Sequence, residues 1–120
     1  MALQSEMSTE QVAQLRARWE SNAARDALAS VLHDLRLGGE GWVSLVKSFA
    51  SPLSSPIPDA YVADLRGVNF DGLDLSGLDF CFVDLRYTSF KNCTLHGTCF
   101  QRADLTDSNF PTGQKLTCFR

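Results

Sequence analysis

The chain has 120 residues, 44% of them hydrophobic and 21% charged, with a formal net charge of −3. That length holds one domain, or one domain with a small attachment, around a modest core, and the mild acidity excludes an electrostatic footprint for direct nucleic-acid binding. No apolar run reaches membrane-spanning length and the first residues carry no basic region and no apolar segment, so no membrane partner and no secretory signal are expected; cytoplasm is the expected compartment, with export by a route that leaves no such mark still open.

Residues 1–50 read as a helical region. Ser8-Thr9-Glu10-Gln11 has the form of a capping box, in which a serine hydroxyl and a glutamine side chain each satisfy the other residue's backbone N–H at a helix start. Val12, Leu15 and Trp19 follow at helical spacing. A second helical pattern carries Ala24, Leu28, Val31, Leu32 and Leu35, and Gly38-Gly39 ends it. Ser21-Asn22 either separates two helices or lies inside one long one. Trp42, Leu45, Val46 and Phe49 predict a third, short helix after Gly41. The proline- and serine-rich stretch 51–62 then forbids helix and reads as a linker.

From Ala63 the chain repeats every five residues, beginning Ala63-Asp64-Leu65-Arg66-Gly67 and Val68-Asn69-Phe70-Asp71-Gly72. The central position runs Leu65, Phe70, Leu75, Phe80, Leu85, Phe90, Leu95, Phe100, Leu105, Phe110, alternating without exception. The residue two before it is small or apolar, and the residue just before it is Asp or Asn in seven of ten quintets. Residues five apart on a helix turning 100° per residue would wander around its surface, so this is no amphipathic helix. A five-residue period suits a chain that runs briefly extended and then turns, and Asp, Asn and Gly suit the corners. The aspartates Asp64, Asp74, Asp79, Asp84 and Asp104 keep this rhythm, which marks them as turn formers rather than a catalytic carboxylate cluster.

These quintets are similar to the pentapeptide-repeat family, whose consensus is A-(D/N)-L-x-x. The resemblance covers residues 63–110, with Thr88-Ser89, Cys93-Thr94 and Thr98-Cys99 departing from the Ala-Asp start. It implies a fold class: an all-β right-handed quadrilateral β-helix of about two and a half coils, four quintets to a coil, here with an N-terminal α-helical cap. The central residue and the residue two before it would fill the interior. Residues twenty apart would then stack, sorting Phe70, Phe90 and Phe110 onto one wall, Phe80 and Phe100 onto the facing one, and the leucines onto the other two. So short a solenoid has two ends to cover, which gives residues 1–50 a task, although an independent partner-binding helical hairpin is the alternative.

Residues 113–120 break the register, with Lys115 and Arg120 where Leu and Phe would stand. Leu116 and Phe119 either fold over the last half coil or leave a hydrophobic edge for a partner or an end-to-end homodimer. Phe82 and Tyr87 occupy corners where Gly is more usual. They read either as an outward contact patch or as packing against the N-terminal helices. Cys81, Cys93, Cys99 and Cys118 have none of the close spacings of zinc-binding pairs, and are expected as reduced thiols, Cys93 inward and Cys81 and Cys99 nearer the edges. Neither His33 nor His96 has a sequence-near acid or cysteine in a convincing catalytic arrangement. No catalytic residue, cofactor or metal is expected. The function expected is a non-enzymatic scaffold acting as a protein–protein interaction module. The resemblance also implies an alternative, a DNA-mimicking modulator of a type II topoisomerase (gyrase), which a short, mildly acidic solenoid suits poorly.

Overall fold

The computed structural model describes residues 8–47, 49 and 61–110. Three helices come first: α1 (Thr9–Ala17), α2 (Asn22–Arg36) and α3 (Trp42–Lys47). The capping box at α1 is formed, with Gln11 N–H donating to Ser8 Oγ at 3.1 Å and Ser8 N–H donating to Gln11 Oε1 at 2.9 Å. Ser21 separates α1 from α2 and caps the latter, its hydroxyl accepting from Ala24 N–H. Gly38 stands in the left-handed region just past the end of α2, where the absence of Cβ removes the steric cost. Asp34 reaches over the following turn and accepts from Trp42 N–H at 2.9 Å, fixing the start of α3.

The repeats form a β-helix-type solenoid. Its regular strand content is small: β1 (Ala63–Asp64) pairs in parallel with β2 (Val83–Asp84), and the other rungs are single bridges, Asn69 with Ser89, Asp74 with Thr94, Asp79 with Cys99, Asp84 with Asp104 and Ser89 with Asn109. Every one joins residues twenty apart. The rungs are short because each quintet turns a corner after two or three extended residues. Phe80 N–H donates to Cys99 O at 2.8 Å and Cys99 N–H returns to Leu78 O at 2.9 Å, a pattern repeated on the other walls. The corner residues 67, 72, 77, 82, 87, 92, 97, 102 and 107 all have positive φ, and Asp64, Asn69, Asp74, Asp79, Asp84 and Asp104 tighten their turns, as Asp79 Oδ1 does by accepting from Cys81 N–H at 2.9 Å.

The interior follows the quintet rhythm. The central residues from Leu65 to Phe100 are at most 1% exposed, while Leu105 and Phe110, in the last described quintets, are half-buried. Phe70 and Phe90 stack at 5.2 Å between ring centroids, Phe90 and Phe110 at 5.1 Å, and Phe80 and Phe100 at 5.7 Å. The facing columns meet edge-on, as Phe90 does with Phe100 at 5.8 Å, the arrangement that ring quadrupoles favour. The small polar substitutions are absorbed: Cys93, Thr88 and Thr98 are buried and donate to the carbonyls of Phe70, Leu85 and Leu75. Leu73 differs from its expected inward place and is 40% exposed, whereas Ala63, Val68 and Leu78 of the same coil are buried. The packing beneath the first coil does not reach its corner.

The helices lie against that first coil. Trp19 Nε1 donates to Arg66 O at 2.8 Å, and Trp19, Val31, Trp42 and Val46 share one buried cluster with Leu65 and Phe70. At Gly67, with φ +84°, a Cβ would stand 2.9 Å from the Leu15 carbonyl carbon; at Gly72, with φ +78°, it would meet nothing within 4 Å. Gly72→Ala should therefore cost only the left-handed backbone penalty, about 1–2 kcal/mol. Gly67→Ala should cost about 1–3 kcal/mol more, since α1 backbone must give way. Urea unfolding of both variants checks this, and equal costs would mean that α1 does not press on this corner in solution.

Candidate interaction surface

The coil geometry brings the residue after the central one in one coil diagonally against the residue before the central one in the next. On the Leu65–Leu85 wall this builds a ladder of alternating charge. Arg18 Nη2 lies 2.8 Å from Asp64, Arg66 Nε 2.9 Å from Asp64 and 3.8 Å from Asp84, and Arg86 Nη2 2.8 Å from Asp84 with its Nε 3.6 Å from Asp104. Arg66 and Asp84 are almost wholly buried. Arg18 also donates to Phe49 O and Arg66 O, and its guanidinium lies 4.6 Å from the Trp19 ring centre, so the end of α1, Phe49 beyond α3 and the first quintet are joined through one side chain. On the Phe70–Phe90 wall the diagonal is a hydrogen bond from Ser89 Oγ to Asp71 at 2.5 Å. On the Phe80–Phe100 wall it is a pair of thiols, Cys81 and Cys99, with Sγ atoms 3.1 Å apart.

Asp64 shows how these pairs act on charge. Burial pushes its carboxyl up, but the hydrogen bonds from Arg66 and Arg18, with their positive charges, outweigh it, and Asp64 sits below the ordinary carboxylate value. A carboxyl whose folded value is depressed contributes stability that is present above its unfolded value, about pH 4, and lost as pH falls through the folded one. Asp64→Asn should therefore destabilise the chain at neutral pH and flatten the loss of stability below about pH 4, as read from urea midpoints across an acid series. Burial, with Asp79 and Cys99 alongside, pushes the Cys81 thiol up to about 12, so Cys81 keeps its proton at neutral pH.

The two aromatic corners part company. Phe82 is 43% exposed, while Tyr87, read in sequence either as part of an outward patch or as packed against the N-terminal helices, is 8% exposed. The path of α1 explains the difference. It runs over the corner column of Gly67 and Tyr87, where Arg16 donates two long hydrogen bonds of 3.4 Å to Tyr87 O. Phe82 belongs to the next column, beneath which stands Val62, 49% exposed, its N–H on Phe82 O at 2.7 Å. Phe82 thus remains at the surface in a left-handed conformation, φ 64°, that bulky residues rarely adopt. Leu116 and Phe119 lie outside the described residues, as do Cys118, residues 51–60 of the linker and residues 111–120.

A cleft of about 640 Å³ separates α1 and α2 from the solenoid wall and carries Arg16, Arg25 and Lys91 beside Glu20 and Asp71. Its charges are mixed, and it holds neither histidine nor cysteine. His33 and His96 are both exposed, on α2 and on the solenoid wall. Asp79, Cys81 and Cys99 are the group of metal-ligating type whose donor atoms converge among the described residues, all within 4.8 Å of one another. No described helix is long and apolar enough to cross a membrane.

Comparison with curated proteins and with solved structures gave no match. The family model for pentapeptide repeats matches residues 63–102 and 74–110, with eight copies. Its span is the span of the twenty-residue stacking: residues 63–110 of this chain are pentapeptide repeats.

Proposed function

We propose that this chain is a non-enzymatic scaffold that presents its solenoid wall to another protein. In this reading the solenoid is a right-handed quadrilateral β-helix, ten quintets at four per coil making about two and a half coils, with residues 1–50 as its N-terminal cap, 51–62 as the linker and 113–120 as the tail. The observation that carries it is Phe82. Its neighbours Gly72 and Gly77 hold the same left-handed corner without strain, whereas an aromatic there costs about 1–2 kcal/mol. Phe82 recovers little of that by burial, since it is 43% exposed beside exposed Val62. Strain kept at an exposed apolar residue points to a contact outside the chain.

Phe82→Gly tests this because fold and contact move in opposite directions. The thermal midpoint should hold or rise, while a partner cross-linked to the wild-type chain at this wall should be lost. A variant that keeps the partner would sink the Phe82 reading. The half-buried last coil, with Leu105 and Phe110, offers a second surface, suited to a homodimer through the C-terminal end. The solution mass of the full chain, compared with one lacking residues 111–120, addresses it. A dimer that persists after the deletion would place the contact elsewhere.

A further inference from the structure

The diagonal contact between successive coils is a structural slot, filled differently on three of the walls: Arg66 with Asp84, Asp71 with Ser89, and Cys81 with Cys99. The first two are an ion pair and a hydrogen bond. The third places two sulfurs together, and thiols are weak donors and acceptors, so this slot gains little as a cohesive contact. A carboxylate completes it. Asp79 lies directly beneath Cys99 in the bridge of that wall, and all three ligand atoms fall within 4.8 Å. The Cys81 N–H holds Asp79 Oδ1 at 2.9 Å, which orients the carboxylate as an outer-shell contact orients a metal ligand. The two thiols are half-buried and Asp79 is exposed, so the group is reachable from solvent.

We propose that Asp79, Cys81 and Cys99 form a binding site for one borderline-soft divalent cation of the zinc class. Two sulfurs and one carboxylate oxygen suit such a cation by softness, and three protein ligands leave its fourth tetrahedral position to water. Tetrahedral Zn–S bonds of about 2.3 Å set sulfurs roughly 3.8 Å apart, so the thiols need only open slightly from 3.1 Å. Each thiol gives its proton to water as the cation binds. The spacing of 81 and 99 along the chain conceals the site, because its two sulfurs come from different coils. The bound ion would tie those coils together across the wall that ends at Phe82.

The test uses the full chain, fully reduced and stripped of metal by a chelator, titrated with Co²⁺ and then Zn²⁺. One equivalent of Co²⁺ should bring up thiolate-to-cobalt charge-transfer bands and tetrahedral d–d absorption, both removed by Zn²⁺, and Zn²⁺ should raise the thermal midpoint. Cys81→Ser and Cys99→Ser should each abolish the charge-transfer signal or weaken it at least as much as the roughly 10–100-fold typical of an outer-shell loss. Asp79→Asn, which keeps both thiols, should weaken Co²⁺ binding while leaving sulfur-to-cobalt bands at high metal. Cys93→Ser and Cys118→Ser should leave the titration unchanged. No stoichiometric uptake, uptake that survives Cys81→Ser and Cys99→Ser in folded protein, or an isolated chain lighter by two hydrogens with Cys81 joined to Cys99 would each overturn the proposal, the last by making the slot a cross-coil disulfide.

Discussion

Asp84→Ala is expected to destabilise the chain by about 3–5 kcal/mol, the cost of removing one partner from a buried ion pair. Asp84 is 0% exposed and sits at the middle of the charge ladder. It receives Arg86 Nη2 at 2.8 Å and Arg86 N–H at 3.2 Å, and faces Arg66 from above. Without it, among the described residues, Arg86 keeps the longer contact to Asp104, and Arg66, 1% exposed, keeps Asp64. The comparison variant is Asp104→Ala. Asp104 occupies the same register one coil further on but is half-buried, with Thr106 where Arg66 and Arg86 stand below. Its loss should cost under about 1 kcal/mol, as exposed pairs do. Thermal unfolding separates the two, since 3 kcal/mol lowers the midpoint of a domain this size by on the order of 10 °C. Similar costs would mean that the ladder is a solvated surface array.

The ladder also marks the limit of what one-dimensional reading reaches. The five-residue rhythm is legible because each quintet uses its central residue in the same way, and local turn chemistry repeats with it. Leu65 to Phe100 are inward, the phenylalanines fall into two facing columns, and the aspartates tighten corners. The capping box at Ser8 is equally local. What the rhythm does not display are contacts between residues eighteen apart in successive coils. Asp64-Leu65-Arg66 and Asp84-Leu85-Arg86 are visible as a twenty-residue echo, a signal that could have revealed the ladder. Cys81 and Cys99 have no such echo and become neighbours only when the coil closes. Phe82 and Tyr87 look alike in sequence and differ only because α1 crosses one corner column and not the other. Leu73 obeys the repeat in sequence but lies where the packing beneath the first coil ends. Arg18 gives no sign in sequence of the three elements it joins, since its partners Phe49, Asp64 and Arg66 are far along the chain.

The other large effect is expected at Phe90, where position along the stack sets the magnitude. Phe90 has a stacked ring on each side, Phe70 at 5.2 Å and Phe110 at 5.1 Å, and the edge of Phe100 at 5.8 Å. It is 0% exposed. Phe90→Ala removes a ring from a space that its neighbours' backbone rungs hold open, so the cavity stays, and the cost should be about 3–5 kcal/mol. Phe110→Ala removes a ring from the half-buried last quintet, with a stacked partner only on the Phe90 side among the described residues, and should cost roughly half as much. Phe90→Leu separates volume from stacking: most of the space is refilled, and the residual cost should approach the roughly 0.5–1.5 kcal/mol that aromatic pairing adds beyond area. Urea unfolding of the three variants reads these costs directly. The expected order is Ala at 90 above Ala at 110 and Leu at 90. Equal costs for Phe90→Ala and Phe110→Ala would mean that the last quintet is as fully enclosed as the middle of the stack, leaving no open C-terminal face for a partner.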